Sequence, residues 1–248
     1  MNKRKLVLCF VLLFISSLCF SKDKDINVVA STSWTASFAE LAGCDNVDII
    51  APVNLRHPPE YEVTVGDVLK IRECDYFIYA GFERMMKTLS DTFSTSKAVT
   101  IQIQCDNSLE TVKSSARKIA KIIGTEEECE KRLALYEKTL IEGKEEVNKK
   151  GKRGAKVLCH KHQIFLAKEL GLEVVDTFGP GPVSAKEIAN AKNKQYDYII
   201  DNIHNPVGEP LKEVNDEALY IIWRNFPETR GKNSLIKLIK DNIEVIIN

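Results

Sequence analysis

The chain has 248 residues, of which 44% are hydrophobic and 28% are charged, enough apolar material for one large core or two smaller ones. Its 35 basic and 35 acidic residues balance, so no strong charge of either sign points to nucleic acid or to an acidic membrane surface. We therefore expect no nucleic-acid partner. The sequence also lacks low-complexity runs and internal repeats.

Residues 1–21 have the pattern of a secretory signal peptide. Three basic residues at positions 3–5 precede the almost uninterrupted apolar stretch Leu6–Leu18, which is shorter than the roughly 18–20 residues of a membrane-spanning helix. A charged run follows Ser21, where cleavage is expected. We therefore expect an exported protein, periplasmic or otherwise extracytoplasmic. A retained membrane anchor and a lipid tether on Cys19 are the alternatives.

The cysteines do not form a recognisable framework. Five remain after the signal peptide, an odd number without any C-x-x-C pair, so neither a redox motif nor a zinc finger is indicated. We interpret four of them as small buried side chains, and we set Cys159 apart because it adjoins His160.

Short β-branched runs alternate with helical patterns in two successive sets. The predicted strands of the first set are Ile26–Ala30, Val47–Ile50, Tyr76–Tyr79 and Val99–Ile103. Those of the second set are Lys156–Cys159, Leu172–Val175, Tyr196–Ile200 and Leu219–Ile222. This alternation predicts an α/β fold of two lobes, each with a parallel β-sheet flanked by helices.

A long helical segment separates the two sets of strands. Apolar residues recur at helical spacing over Leu109–Ile123 and again over Leu133–Val147. Gly124 can end the first stretch, and Thr125 with Glu128 predicts a capping box for the second. We therefore predict one long linking helix, broken at Gly124, that holds the lobes at a nearly fixed separation. The predicted domains are a signal peptide (1–21), an N-terminal lobe (22–107), a linking segment (108–150) and a C-terminal lobe (151–248).

All four histidines stand at the ends of predicted strands or in the loops after them: His57, His160, His162 and His204. Ligands of open α/β sheets bind beyond the carboxyl ends of the strands, so histidines from both lobes would meet a ligand in the cleft. Imidazole suits zinc, copper, iron and nickel, whereas added carboxylates favour manganese or iron. His160 has the strongest case as a ligand, and His162 is as well explained by a surface position.

Three carboxylates, Glu60, Glu83 and Asp201, also lie at predicted strand exits. Glu83 follows a strand and a glycine that permits close approach of the backbone, although a helix-start carboxylate would look the same. Trp34 and Trp223 could line the cleft, but large aromatic side chains are more often part of the core.

Enzyme signatures are missing. The sequence has no G-x-G-x-x-G after a strand, no phosphate-binding loop with G-K-[ST] and no G-x-S-x-G elbow. A secreted metal-dependent hydrolase using His57, His160 and His204, with Glu60 or Asp201 as general base, is the one enzymatic alternative. It lacks the H-E-x-x-H motif, so we expect binding rather than catalysis.

The chain resembles the zinc- and manganese-type solute-binding proteins of ABC importers. The resemblance runs through most of the mature chain, over Val28–Trp34, Glu60–Glu62, Asp67, Cys74–Tyr76, the long linking helix, Phe165–Ala167 and Gly171–Leu172. It implies two lobes with four-stranded sheets, bridged by one long helix, with a metal between them. It also implies an ABC permease in the cytoplasmic membrane as the partner.

The site positions match this family only in part. Pro59 stands where the family usually has a histidine before Glu-Tyr-Glu, and His57 lies two residues earlier. A second histidine is expected near Gln102 or Gln104, and only His160 falls on a family ligand position. The resemblance then leaves Glu83 or Glu60 to replace a histidine of the N-terminal lobe, and His204 to replace an acid of the C-terminal lobe.

We therefore predict that a monomer captures a divalent transition metal, zinc or manganese, as its transported ligand. The predicted metal ligands are His57, Glu83, His160 and His204. A binding protein for a metal chelate or another small molecule is the second hypothesis.

Overall fold

The computed structural model describes residues 26–248. The predicted signal peptide at residues 1–21, with the alternative lipid tether at Cys19, lies outside the described residues. Within residues 26–248, no helix combines the length and the apolar character that a membrane crossing requires.

The N-terminal lobe is built on a parallel sheet with the strand order β2-β1-β3-β4. Its strands are β1 (Val28–Ala30), β2 (Val47–Ile49), β3 (Tyr76–Tyr79) and β4 (Val99–Gln102). The surrounding helices are α1 (Ser33–Leu41), α2 (Val65–Glu73), α3 (Met85–Thr88) and α4 (Ser90–Thr95), with a 3-10 turn at Pro58–Glu60. β1 is buried along its whole length, as expected for a central strand covered on both faces.

Helices α5 (Leu109–Ile123) and α6 (Glu126–Lys149) follow. Gly124 separates them in a left-handed conformation, with φ +86°, which glycine adopts at low cost. The predicted capping box at Thr125 is wrong, because this hydroxyl donates instead to the Ala42 carbonyl at 2.6 Å. That bond ties the start of α6 to the N-terminal lobe. α6 alone, about 36 Å long at 1.5 Å per residue, forms the long linking helix.

The C-terminal lobe repeats the same topology, with the strand order β6-β5-β7-β8 and all strands parallel. Its strands are β5 (Lys156–His160), β6 (Glu173–Phe178), β7 (Tyr198–Asn202) and β8 (Leu219–Trp223). Its helices are α7 (Ile164–Glu169), α8 (Ala185–Lys192), α9 (Glu209–Val214) and α10 (Ser234–Ile247). The predicted α/β fold, with two parallel-sheet lobes and one long linking helix, is therefore confirmed.

One hydrophobic core runs through both lobes. Helix α1, in which all nine residues are buried, packs against α5, α6 and α10 as well as against its own sheet. Tyr136 of α6 is fully buried, and its hydroxyl donates to the Asn107 carbonyl at 3.0 Å. Burial of apolar surface stabilises by about 25 cal/mol per Å², so this shared core opposes wide separation of the lobes.

A polar contact joins the lobes near the amino ends of the N-terminal strands, and we call it the rear junction. It comprises Glu40, Val47, Asp48, Arg230, Gly231 and Ser234. The Glu40 carboxylate of α1 accepts the Gly231 N–H at 2.6 Å and the Ser234 hydroxyl. The Arg230 guanidinium donates to the Val47 carbonyl at 2.7 Å and to the Asp48 carboxylate at 3.0 Å. These bonds hold the lobes together on the side away from the carboxyl ends of the strands.

Candidate functional site

A cavity of about 350 Å³ lies between the lobes, beyond the carboxyl ends of strands from both sheets. In the N-terminal sheet, β2 and β3 lie on opposite sides of β1, and in the C-terminal sheet β6 and β7 lie on opposite sides of β5. Ligands of α/β sheets bind where the strand order reverses in this way. The N-terminal lobe contributes Trp34, His57, Pro58, Pro59, Phe82 and Cys105 to the wall. The C-terminal lobe contributes His162, Asn202, His204, Asn205, Asn225 and Phe226. We call this space the cleft cavity.

His204 lines this cavity, with one ring nitrogen in a hydrogen bond and the other buried. Its Nδ1 lies 3.2 Å from the Arg56 carbonyl, and because a carbonyl can only accept, Nδ1 carries the hydrogen. Burial lowers the pKa of His204, although hydrogen bonds with the Arg56 and Phe226 backbone act in the opposite direction; a neutral ring with its hydrogen on Nδ1 has an unshared electron pair on Nε2. Nε2 is buried without a hydrogen-bond partner. A histidine whose other ring nitrogen donates to a carbonyl is the usual form of a metal ligand.

His57 is brought to the same cavity by the proline-rich loop after β2. It precedes the 3-10 turn at Pro58–Glu60 and is half-buried. The Arg84 N–H donates to the Pro59 carbonyl at 2.8 Å, which fixes this loop to the segment after β3. Two of the four predicted ligands, His57 and His204, therefore reach one cavity from opposite lobes.

His160 does not line the cleft cavity, because β5 extends one residue further than its predicted end. His160 pairs with Phe178 in the sheet register and is fully buried. Its Nδ1 accepts the His162 N–H at 3.2 Å, so the hydrogen of the neutral ring is on Nε2. A Cβ added at Gly179 would lie 2.6 Å from that Nε2, which shows how closely the backbone covers the ring. Burial lowers the pKa of His160 to about 4.

Glu83 is also outside the cavity wall. Its buried carboxylate accepts the Ser31 hydroxyl and the N–H groups of Ala80 and Gly81, the last two at 2.9 and 2.6 Å. These bonds close the turn after β3 and occupy both carboxylate oxygens. Glu83 thus positions the neighbouring Phe82, which does line the cavity.

The remaining cavity residues escaped the sequence analysis or had a low weight in it. Trp34 lines the cavity, whereas Trp223 is fully buried in the core. Cys105, Asn205 and Asn225 follow strand ends and Asn202 ends β7, so their positions carried a signal that their residue types did not. The sequence explains His162 equally well by a surface position. Asn225 is 2% exposed, and its Oδ1 is buried without a partner.

A chain of side-chain amides supports the C-terminal wall. Gln163 donates to Asn202 at 3.1 Å, Asn202 donates to Asn205 at 2.7 Å, and Asn205 donates to the Pro180 carbonyl at 3.0 Å. Linked amides of this kind fix one another's orientation. The chain therefore holds the Gly179–Pro180 segment over His160 and sets the shape of the cavity floor.

Asp201 positions the loop that carries His204. Its buried carboxylate accepts the N–H groups of Asn202, Val207 and Gly208 at 2.7, 3.1 and 2.7 Å, and the Tyr220 hydroxyl at 2.6 Å. With both oxygens occupied, Asp201 has a structural role here rather than that of a free general base.

We expect Asp201→Asn to lower the free energy of unfolding by about 2 kcal/mol, because an amide NH₂ would face buried donors that the carboxylate now satisfies. Urea denaturation followed by circular dichroism measures this change. Asp216→Asn is the matched control, since Asp216 is exposed in the same lobe and should change stability little. Equal stability of both variants would contradict the role assigned to Asp201.

The metal-binding geometry is not assembled in this conformation. Within residues 26–248, no three His, Cys, Asp or Glu side chains stand close enough together to hold one ion. In the same described part of the chain, the cavity wall contains imidazole, amide and thiol groups but no carboxylate.

No family model matches the chain, and a search of the curated proteins found no match. Solved structures do match it. The manganese-bound periplasmic metal binding protein of Candidatus Liberibacter asiaticus superposes with a TM-score of 0.67 at 16% identity, over 90% of this chain and 98% of that one. This chain has the fold of that protein.

Two further structures share this fold. The laminin-binding protein Lbp of Streptococcus pyogenes gives a TM-score of 0.64 at 18% identity, over 90% of this chain and 97% of that one. A zinc-bound variant of AdcAII of Streptococcus pneumoniae gives 0.65 at 15% identity, over 90% and 98%. The architecture expected from the sequence resemblance is therefore confirmed across nearly the whole length of these proteins.

Proposed function

We propose that this chain is an extracytoplasmic substrate-binding protein that captures a divalent transition metal between its lobes and delivers it to an ABC permease. The observation that carries the proposal is the cleft cavity, which His57 of one lobe and His204 of the other both line, the latter with a buried Nε2 that has no hydrogen-bond partner. Its position beyond the carboxyl ends of both sheets is where such folds bind ligands. Two proteins of the same fold are named as manganese-bound and zinc-bound, which supports a metal as cargo.

The four predicted ligands differ in how readily they can reach a metal ion in the cavity. His57 and His204 line the cavity and are the first contacts for an arriving ion. His160 could join them only if the Gly179 segment moved away from its ring, and Glu83 only if it gave up its backbone partners. His162, already in the wall, is the further imidazole that a small closure of the lobes could bring in.

Zinc is the metal that this wall favours. Imidazole and amide groups suit zinc, whereas manganese prefers carboxylate and water oxygens, and manganese also binds most sites more weakly than zinc. We expect isothermal titration calorimetry to give a Kd for zinc at least about a hundredfold below that for manganese. Equal affinities would contradict this choice of metal, and a folded protein that binds neither ion, alone or as a complex, would contradict the proposed function.

A small molecule is the second candidate ligand, and one observation favours it. The cavity volume of about 350 Å³ falls within the roughly 300–1,000 Å³ of pockets that hold small molecules. An isolated ion does not need that much space.

A further inference from the structure

We propose that the metal enters the cleft cavity as a complex, bound to a flat aromatic chelator, and that His204 Nε2 fills an open coordination position of that complex. This inference rests on the proposed function and specifies the chemical form of its cargo. Three properties of the cavity support it: its charge, its walls and its few free ligand atoms.

The cavity offers no negative charge to a bare dication. Of the residues that the structure describes, no acidic one lines the wall, and Glu83 and Asp201 have both carboxylate oxygens taken up by hydrogen bonds. Moving an ion out of water without a counter-charge costs several kcal/mol. An ion that is already bound to a chelator keeps much of its coordination shell and presents a largely apolar surface, so it loses less on entry.

The walls suit a flat ring system. Trp34 packs against Phe226 with ring centroids 4.9 Å apart and lies 6.3 Å from Phe82, while Pro58 and Pro59 cover the adjoining side. Phe82 is 52% exposed, whereas Trp34 and Phe226 are 5% and 4% exposed, so Phe82 provides the accessible ring of this wall. Offset stacking on aromatic faces stabilises by about 0.5–1.5 kcal/mol per pair beyond the burial of area.

The ligand atoms of the cavity wall do not come together in the number that a bare ion takes. His204 Nε2 and Asn225 Oδ1 are buried, unpartnered electron-pair donors. Zinc usually takes four ligands, and no three metal-binding side chains come together within residues 26–248. A bidentate chelator supplies two of the four positions, so the protein has to supply one or two.

Calorimetric titrations with zinc alone, with 2,2′-bipyridine alone and with their 1:1 complex test this inference. We expect the complex to bind at least about tenfold more tightly than zinc alone, with one complex per chain, and bipyridine alone to bind more weakly than the complex. Phe82→Leu, which removes the accessible ring of the cavity wall, should reduce this preference for the complex. Phe165→Leu, which removes a half-exposed ring outside the cavity wall, should retain it.

Each other outcome overturns the inference. If zinc alone binds as tightly as the complex, the bare ion is the cargo and the proposed function still stands. If bipyridine alone binds as tightly as the complex, the metal is not part of what is recognised. If the folded protein binds none of the three, the proposed function fails as well.

Discussion

Replacing His204 with alanine is expected to weaken zinc binding at least about a hundredfold, equivalent to roughly 2.7 kcal/mol. The reason is the state of its ring: Nδ1–H donates to the Arg56 carbonyl, and Nε2 is a buried nitrogen without a hydrogen-bond partner on a residue that lines the cleft cavity. Calorimetric titration with zinc measures the loss. The free energy of unfolding should fall by no more than about 2 kcal/mol, because the variant loses the edge contact with Phe226 and one hydrogen bond to the Arg56 carbonyl.

His160→Gln is the informative comparison, because His160 had the strongest sequence argument of the four histidines. Its ring is buried under Gly179 with its hydrogen on Nε2, so we expect this variant to lose stability but to keep zinc affinity within about threefold. The opposite pattern, with binding lost in His160→Gln and retained in His204→Ala, would show that the cleft rearranges to the ligand set implied by the family resemblance.

The second large effect is expected at the rear junction. Glu40→Ala should lower the free energy of unfolding by about 3 kcal/mol, since it leaves the buried Gly231 N–H and Ser234 hydroxyl without their acceptor and opens a cavity between the lobes. Glu40→Gln should cost less than about 1 kcal/mol, because its amide oxygen can accept from Gly231 while its NH₂ donates to Ser234. Chemical denaturation of both variants at pH 7 separates these expectations. Equal losses would show that charge, rather than hydrogen bonding, holds the junction.

Glu40 should also make stability depend on pH. Burial raises the pKa of this carboxyl above its ordinary value of 4.5, although the bonds from Ser234 and Gly231 and the charges of Arg230 and Arg132 act in the opposite direction. The folded state therefore holds the proton more tightly than the unfolded state. The resulting stabilisation is complete below pH 4.5 and is lost as the pH rises through the folded-state pKa. Stability of the wild type relative to Glu40→Gln should fall over that interval, and a rise would contradict the assignment.

The fold was largely predictable because its signals are local and repeated. Short β-branched runs alternate with helical patterns in both halves, and the helical spacing over Leu109–Ile123 continues after Gly124 into α6. Strand ends were less predictable, since the sequence pattern does not mark where pairing stops. The extension of β5 to His160 changes the role expected of this residue, because its side chain was predicted to lie beyond the sheet and is instead packed within it.

The location of the candidate site could be predicted from the sequence, but the set of residues that line it could be predicted only in part. His57 and His204, predicted from strand exits, both lie in the cavity wall, because the carboxyl ends of parallel strands converge on the cleft. The role of Glu83 depends on three hydrogen bonds to groups that only the folded turn brings together. The ring state of His204 depends on Arg56, which is distant in sequence. Local sequence patterns carry no information on either contact.

Crystals of the zinc-loaded protein, measured with X-rays on both sides of the zinc absorption edge, test the central claim most directly. We predict one anomalous peak between the lobes, at the roughly 2.0–2.1 Å from His204 Nε2 that zinc–imidazole bonds require. A zinc ion bound elsewhere on the molecule, with the cleft cavity free of anomalous signal, would contradict the proposal that this cavity captures the metal.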